Sequence, residues 1–313
     1  MKTVAIVNPT AGYRRARRDW PRLLNSLGEL GANVATWWTE WPGQAETLAA
    51  QARREGFDRV VAVGGDGTLL EVVNGLWWEA QGPLPSVGVV PFGTGCDYVR
   101  SFDLGQTLRD KVITALGQAT LAVSLGLVRL RGFDGQPRVR VFINVLGLGF
   151  DARVIASFRQ QRLRLPGKTA YFLSGIQELG RLTHHRITAS LDGRGLSADA
   201  TVVVFGLGCY FGGGLMIAPG ASPQAGHFQV VLAQKLSRLE LLGLFPRLYT
   251  GKHLDHPRIT AAFGGHITIN ADPPADVEAE GELEGTTPLE VTIIPQALRI
   301  AAPALAPALL LRP

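Results

Sequence analysis

Short apolar runs alternate with amphipathic stretches through the first third of the chain, the pattern of strands separated by helices. Residues 3–7 predict a buried strand that ends in the turn Asn8-Pro9-Thr10-Ala11-Gly12. A helix is expected over about 14–30, and a second strand over 33–38 stops at Thr39. Residues 43–55 predict a helix with Ala45, Leu48, Ala49 and Ala52 turned inward. The β-branched run at 60–63 is a third strand, and Leu69, Val72, Val73 and Leu76 mark one face of the helix after it. Residues 87–90 form a fourth strand leading into the turn 91–98. Strands alternating with helices imply right-handed βαβ units and a parallel sheet, whose ligands sit beyond the strands' carboxyl ends.

After about Ser124 the period changes. Strands are expected at 125–131 and 139–146 around the turn Gly132-Phe133-Asp134-Gly135. A helix follows over 168–179, then strands at 186–191, 201–206, 228–233, 258–263, 266–270 and 289–294, broken by one helix over 236–249. Short strands with Gly and Pro turns predict an antiparallel sandwich or barrel. The chain therefore reads as an α/β domain followed by a mostly β domain, with the active groups in the cleft between them. The tail from 301, with Pro303 and Pro307, is expected to pack onto the body.

The strongest local signal is Val60-Val61-Ala62-Val63-Gly64-Gly65-Asp66-Gly67-Thr68-Leu69. A strand, a glycine turn and a helix start aim N–H groups and a helix N-terminus at an anion. Gly64, Gly65 and Gly67 carry no side chain to hold a phosphate off the main chain. Asp66, the one charge in the turn, would act through Mg²⁺ or on a hydroxyl of ribose or substrate, and a plain helix cap would look the same.

A chain of 313 residues exceeds the usual single-domain size, and 46% apolar residues can fill two cores. The formal charge of +5 favours nucleotide, an anionic membrane surface or nucleic acid as partner. The basic groups are scattered and no nucleic-acid motif is present, so nucleic acid is not expected. Cys96 and Cys209 give neither a disulfide framework nor a zinc pattern, and Cys96 reads as a packed thiol. No apolar run reaches about 18 residues and the chain opens on a strand rather than a secretory leader. A cytoplasmic protein, peripheral at the inner face of the membrane, is expected. Arg14, Arg15, Arg17 and Arg18 read as a solvated helix face. Residues 153–168 hold five cations and no acid, either a solvated loop or a surface for anionic lipid. His184-His185 and His253-x-x-His256 lack companion ligands. Trp37-Trp38-x-x-Trp41 and Trp77-Trp78 suit packing, an acyl chain or a membrane interface.

The ordered set Asn8-Pro9-x-Ala11-Gly12, Gly64-Gly65-Asp66-Gly67-Thr68-Leu69 with Glu71-Val72-Val73-Asn74-Gly75-Leu76, and Pro91-x-Gly93-Thr94-Gly95-x-Asp97 resembles the diacylglycerol kinase catalytic-domain family. That family includes bacterial lipid kinases and the sphingosine and ceramide kinases. The resemblance continues through Gly149-Phe150-Asp151-Ala152, Phe211-Gly212-Gly213-Gly214-x-x-Ile217-Ala218-Pro219-x-Ala221 and Gly281-Glu282. It implies a Rossmann-like α/β ATP domain, residues 1–124 with a returning tail 297–313, and a β-sandwich domain, 125–296. It places ATP at Asn8, Thr39, Gly64, Gly65, Asp66, Gly67, Thr68, Leu69, Leu70, Glu71, Thr94 and Asp97. Asp66 and Asp97 would hold a Mg²⁺ carried with ATP, and Glu282 would accept the proton of a lipid hydroxyl, with Asp66 as a second catalytic group. Such a transfer needs the hydroxyl positioned, its proton accepted and the phosphate charge neutralised. The implied partners are ATP and a lipid at a membrane surface, diacylglycerol by default giving phosphatidic acid, and a homodimer is allowed. Glu278, Glu280, Glu282 and Glu284 would share one face of a single strand, and a solvated acidic edge would look the same.

Five positions depart from the family pattern. Leu70 stands for an Asn, Cys96 for the first Asn of Gly-Thr-Gly-Asn-Asp, and Glu280 for the Asp of Asp-Gly-Glu. Ala225 opens the segment Ala225-Gly226-His227-Phe228-Gln229, where bacterial members have an Asp that helps bind a structural Mg²⁺. Ser124 stands where an acid supporting the catalytic carboxylate is expected. The structural Mg²⁺ site is thus expected to be lost at Ala225. The departures leave open a catalytically impaired nucleotide- or lipid-binding member. An NAD kinase, sharing Gly-Gly-Asp-Gly-Thr, is a third reading, though its downstream Asn-Glu pair is not evident.

Overall fold

The computed structural model describes residues 1–93, 95–160 and 167–307, and it divides into two compact units, 1–123 with 296–313 and 124–295. Unit one contains β1 (Thr3–Val7), α1 (Ala11–Ser26), a short α2 (Glu29–Ala32), β2 (Val34–Trp38), α3 (Gln44–Arg54), β3 (Arg59–Gly64), α4 (Asp66–Trp78), β4 (Ser86–Pro91) and α5 (Leu108–Leu116). The strands are parallel in the order β2-β1-β3-β4, with Thr3 opposite both Val34 and Arg59, and Arg59 opposite Ser86. β1 and β3 are buried along their whole length, as an all-parallel sheet covered by helices requires. The chain leaves β1 for β2 on one side and returns to β3 on the other. The crevice at the carboxyl ends of β1 and β3 is therefore the topological switch point.

The predicted strands and helices of unit one are present, with one helix divided. Gly28 takes a left-handed φ of 56° between α1 and α2, so the stretch read as one helix over 14–30 is two. α3 and α4 touch at Gly75, where an added Cβ would lie 2.0 Å from the Glu46 carbonyl oxygen. Glu71 on α4 caps α3: its carboxylate accepts the N–H groups of Gly43 at 3.2 Å and Ala45 at 3.1 Å. Ile300 pairs in parallel with Val87 on β4, and residues 302, 304 and 306 exchange backbone hydrogen bonds with 119, 103 and 101.

Unit two contains the antiparallel strands β5 (Thr120–Arg131, begun in unit one), β6 (Pro137–Phe142), β7 (Val145–Gly149), β8 (His185–Leu191), β9 (Arg194–Gly206), the short pair β10 (Tyr210–Phe211) and β11 (Leu215–Met216), then β12 (Phe228–Gln234), β13 (Ile259–Gly264), β14 (His266–Asp272), β15 (Asp276–Ala279) and β16 (Glu282–Ala301). Helices α6 (Phe150–Gln160) and α7 (Gly167–Leu179) follow β7, and α8 (Arg238–Leu248) follows β12. One layer runs β13-β12-β9-β7-β15-β16 and the other joins β9 to β16 through β8 and β14, so the two long strands belong to both. Phe142, Phe205 and Phe228 fill the core between them, with ring centroids 5.9 and 6.3 Å apart.

Three readings of unit two change. The stretch 139–146 is two strands, because the N–H groups of Ile143, Asn144 and Val145 turn out of the ladder onto a side-chain carboxylate. α6 occupies the first part of the basic segment, and residues 161–166 lie outside the described residues. Glu278, Glu280, Glu282 and Glu284 do not share a face: β15 ends at Ala279 and β16 begins at Glu282, with Glu280 (φ 55°) and Gly281 (φ 82°) as the left-handed turn between. Glu278 and Glu284 are buried, so this is no solvated edge.

Candidate active site

In unit one, three turns meet at the carboxyl ends of β1, β3 and β4. Gly12 is left-handed (φ 59°), and a Cβ there would lie 2.4 Å from the Phe92 carbonyl oxygen. A Cβ at Gly93 would lie 2.5 Å from the Gly65 Cα, and Phe92 and Gly93 donate their N–H groups to the Gly64 carbonyl at 2.8 and 3.1 Å. These backbones touch only because the side chains are missing. Asn8, at the end of β1, accepts the Thr10 N–H at 3.0 Å and donates to Thr68 Oγ1 at 3.4 Å. Thr39 donates its N–H to the Val7 carbonyl at 2.9 Å, which puts the end of β2 beside that of β1.

Asp66 opens α4, and its carboxylate ties this helix to the β4 loop. Oδ2 accepts the Asp97 N–H at 3.1 Å and Oδ1 the Tyr98 N–H at 3.2 Å. Burial pushes the Asp66 carboxyl above its ordinary value, against the lowering effect of those N–H groups. Asp97 is buried and accepts Arg100 Nε at 3.1 Å. Both carboxylates border Gly95, where a Cβ would lie 3.3 Å from each Oδ2.

The structure thus gathers Asn8, Thr39, Gly64, Gly65, Asp66, Gly67, Thr68 and Asp97 around the switch point. Thr68, Leu69 and Leu70 are buried, so Leu69 and Leu70 could meet a nucleotide only through their main chain. Glu71 faces α3 as its cap. Thr94 lies outside the described residues. Cys96 donates Sγ–H to the Gly93 carbonyl at 3.3 Å, and burial and the neighbouring Asp66 push its thiol up to about 12, the packed thiol expected.

In unit two the four glutamates separate by role. Glu284 sits against Arg138 at 2.8 Å and Arg140 at 3.6 Å. Glu280 Oε1 accepts the N–H groups of Ile143, Asn144 and Val145 at 3.0, 2.5 and 3.2 Å, clamping the 280–281 turn to the β6–β7 junction. Glu278 Oε2 accepts the Gly281 N–H at 2.8 Å from below the same turn. Glu282, half-buried, is the first residue after it. The motif residue Asp151 starts α6, is buried, and keeps Oδ2 without a hydrogen-bond partner. A Cβ at Gly147 would lie 1.8 Å from Asp151 Oδ2 and 2.9 Å from Glu278 Oε1, so the two carboxyl groups share the space that glycine leaves. Asp151 is pushed up to about 7 by burial; Glu278 is raised well above its usual range by burial and then by Asp151. The Asp151–Glu278 pair escaped the sequence reading because Gly147 leaves no polar signal.

A cavity of about 920 Å³, its mouth included, lies within unit two between α6, α7, α8 and β9. Its wall is apolar, from Val202, Val204, Phe211, Ile217 and Phe245 among others, and among the described residues that line it only Asp151 and His253 are polar. The glycine-rich stretch 212–214 forms the β10–β11 turn, whose flanking Phe211 and Leu215 line it. Leu242 and Ile176 line it too and remain about 41% and 42% exposed.

Among the described residues no three acidic, histidine or cysteine side chains form a metal cage. Mg²⁺ binds one or two carboxylates and takes its other ligands from phosphates and water. Asp66 and Asp97 fit an ion carried by a nucleotide. At Ala225, where the structural Mg²⁺ site is expected to be lost, the carbonyl accepts Ser124 Oγ at 2.6 Å.

The diacylglycerol kinase catalytic domain family matches residues 2–128, and the YegS C-terminal NAD kinase beta sandwich-like domain family matches 144–302. A protein of Mycobacterium tuberculosis (strain ATCC 25618 / H37Rv) named diacylglycerol kinase is 30% identical over 96% of this chain and 95% of its own length. One of Staphylococcus haemolyticus (strain JCSC1435) with the same name is 26% identical over 95% and 87%. The crystal structure of a diacylglycerol kinase from Bacillus anthracis str. Sterne superposes with a TM-score of 0.71 over 96% of each chain at 17% identity. Yeast NADH kinase complexed with NADH gives 0.52 over 96% of this chain and 82% of its own, at 13% identity, a likeness of fold alone. The chain belongs to the diacylglycerol kinase catalytic-domain family, and so to the lipid kinases.

Proposed function

We propose that the protein transfers the γ-phosphoryl group of ATP to the hydroxyl of diacylglycerol, giving phosphatidic acid, while resting on a membrane surface. The observation that carries this reading is the route through unit two from the apolar cavity to Glu282. Asp151 in the cavity wall adjoins Glu278, Glu278 holds the Gly281 N–H, and Glu282 is the next residue. An acyl chain in that cavity leaves the polar end of its lipid at the acidic turn. In unit one, the N–H groups of the 64–67 turn and the start of α4 would receive the phosphates.

The lipid hydroxyl attacks the γ-phosphorus, the bond from that phosphorus to the bridging oxygen breaks, and ADP leaves. The hydroxyl proton passes to the Glu282 carboxylate, which the Glu280 and Glu278 hydrogen bonds hold in place. Mg²⁺ bound with ATP at Asp66 and Asp97 would neutralise phosphate charge. Among the described residues no helix is long and apolar enough to cross a membrane. Peripheral contact, with the lipid entering past Leu242 and Ile176, is therefore part of the proposal. Incubation with labelled ATP, Mg²⁺ and mixed micelles of diacylglycerol, sphingosine, ceramide or phosphatidylglycerol, with soluble NAD alongside, tests it. Label in phosphatidic acid supports the reading. Label only in phosphorylated NAD, or in none of the acceptors while ATP is bound, overturns it.

A further inference from the structure

Helix α8 is apolar on both of its faces. Leu241, Leu244, Phe245 and Leu248 line the cavity. At helical spacing the opposite face carries Leu239, Leu242, Gly243, Pro246 and, just past the end of the helix, Tyr249, all of them exposed. Leu239 is 80% exposed, the most of any large apolar side chain among the described residues. Leu173 and Ile176 on α7 are exposed as well. The Arg238 guanidinium donates to the Gly180 carbonyl at 3.0 Å, which joins the end of α7 to the start of α8. An ordinary surface helix turns its polar side outward, whereas α8 turns out an apolar one. A contiguous exposed apolar surface of this kind marks a binding face.

The charges around that face say what covers it. By the helical period Arg238 and Arg247 fall on opposite flanks of the apolar stripe, and both are exposed. Lys252, in the 3-10 turn Lys252–Asp255 that follows, is a third exposed cation. Glu240, the one acid of α8, is held at the helix start: Oε2 accepts the Ser237 N–H at 2.7 Å and lies 3.4 Å from Arg258 Nη1. Apolar side chains flanked by cations match the acyl and phosphate layers of an anionic bilayer. A second copy docked through the same face would bring the arginines of the two helices together. Leu242 and Ile176 belong both to this outer surface and to the cavity wall, so the mouth of the cavity opens through it.

We propose that the outer face of α8 lies in the surface of an anionic phospholipid bilayer, with Leu239 among the acyl chains and Arg238, Arg247 and Lys252 on lipid phosphates. The proposal rests on the lipid-acceptor reading above and names the surface through which the acceptor is reached. A lipid would pass from the bilayer past Leu242 and Ile176 into the cavity without crossing water.

The test is flotation of the full chain with phosphatidylcholine vesicles, with and without phosphatidylglycerol. The wild type should float with the vesicles that contain phosphatidylglycerol. Leu239→Glu, at a site too exposed to disturb the melting temperature, should lower that partition by about tenfold. Arg247→Gln should lower it by about fivefold and leave binding to phosphatidylcholine alone unchanged. Leu239→Glu should phosphorylate dioctanoylglycerol dissolved as monomers at the wild-type rate, while its rate on diacylglycerol held in anionic vesicles falls. A wild type that stays off both kinds of vesicle, or a Leu239→Glu protein that floats as well as the wild type, would overturn the proposal. A change from dimer to monomer in Leu239→Glu with vesicle binding intact would overturn it too, and would assign the face to a second copy. A protein that binds vesicles through α8 but phosphorylates no lipid would defeat the kinase reading alone. One that phosphorylates monomeric lipid yet ignores every vesicle would defeat this proposal alone.

Discussion

The two carboxylate oxygens of Asp66 accept backbone N–H groups of adjacent residues, Asp97 at 3.1 Å and Tyr98 at 3.2 Å. One side chain therefore fixes the start of α4 against the loop after β4, and both flank the proposed phosphate site. Asp66→Ala leaves two N–H donors without their acceptor and should lower unfolding free energy by about 2–3 kcal/mol. ATP affinity should fall by at least about tenfold, because the two turns lose their register. Asp66→Asn, which keeps one acceptor oxygen, should show about half the stability loss. Urea unfolding and ATP titration calorimetry measure both effects.

Glu280 works as a strut beneath the proposed base. Its carboxylate accepts three successive N–H groups, and its left-handed φ sets the turn that delivers Glu282. Glu280→Ala should cost about 2–3 kcal/mol of stability and lower kcat while leaving the KM for ATP within about twofold. Glu280→Gln, which can still accept through its amide oxygen, should recover most of the rate. An unchanged kcat in Glu280→Ala would remove the positioning role.

The buried acid pair gives a signed pH dependence. Asp151 is pushed up to about 7 and Glu278 is raised well above its usual range, both chiefly by burial, whereas in the unfolded chain each titrates near about 4. From about pH 4 to 7 the folded protein binds more protons than the unfolded one, so its stability falls as pH rises, by up to about 1.4 kcal/mol per pH unit for each group. Asp151→Asn removes one titrating group. Its stability relative to wild type should therefore improve across that window and level off above about pH 7. Urea unfolding of both proteins from about pH 5 to 8 checks the slope.

The Ser124–Ala225 contact predicts indifference to a structural metal. The Ser124 hydroxyl closes onto the Ala225 carbonyl at 2.6 Å, and its N–H onto that of Pro223 at 2.7 Å, at two positions where the family resemblance implies acids. EDTA should leave the melting temperature unchanged in the absence of nucleotide. Ser124→Ala should lower stability by about 1 kcal/mol through the lost hydrogen bond. A fall in melting temperature with EDTA would show a structural ion after all.

Unit one was legible because its signals are local. Alternating apolar runs gave the parallel strands, and Gly64-Gly65-Asp66-Gly67 gave the turn at the switch point. Less visible was which way a helical side chain faces: Glu71 sits one turn past the glycines, yet caps α3 through Gly43 and Ala45. In unit two the periodic glutamates misled. Alternation fits one strand, but the left-handed backbone at Glu280 and Gly281 folds it into a hairpin with four different environments. The split of 139–146 has the same source, a carboxylate more than a hundred residues away that takes three N–H groups from the ladder. Asp151 was visible only as part of a motif, because its partner Glu278 meets it through the empty side of Gly147.

The most direct test of the account is the initial rate of phosphatidic acid formation by the wild type and Glu282→Gln, with ATP affinity measured on the same preparations. Loss of the proton acceptor should lower kcat by about 100-fold or more and leave the ATP dissociation constant within about twofold. A Glu282→Gln protein that works at the wild-type rate, or a wild type that forms no phosphatidic acid, would contradict the account.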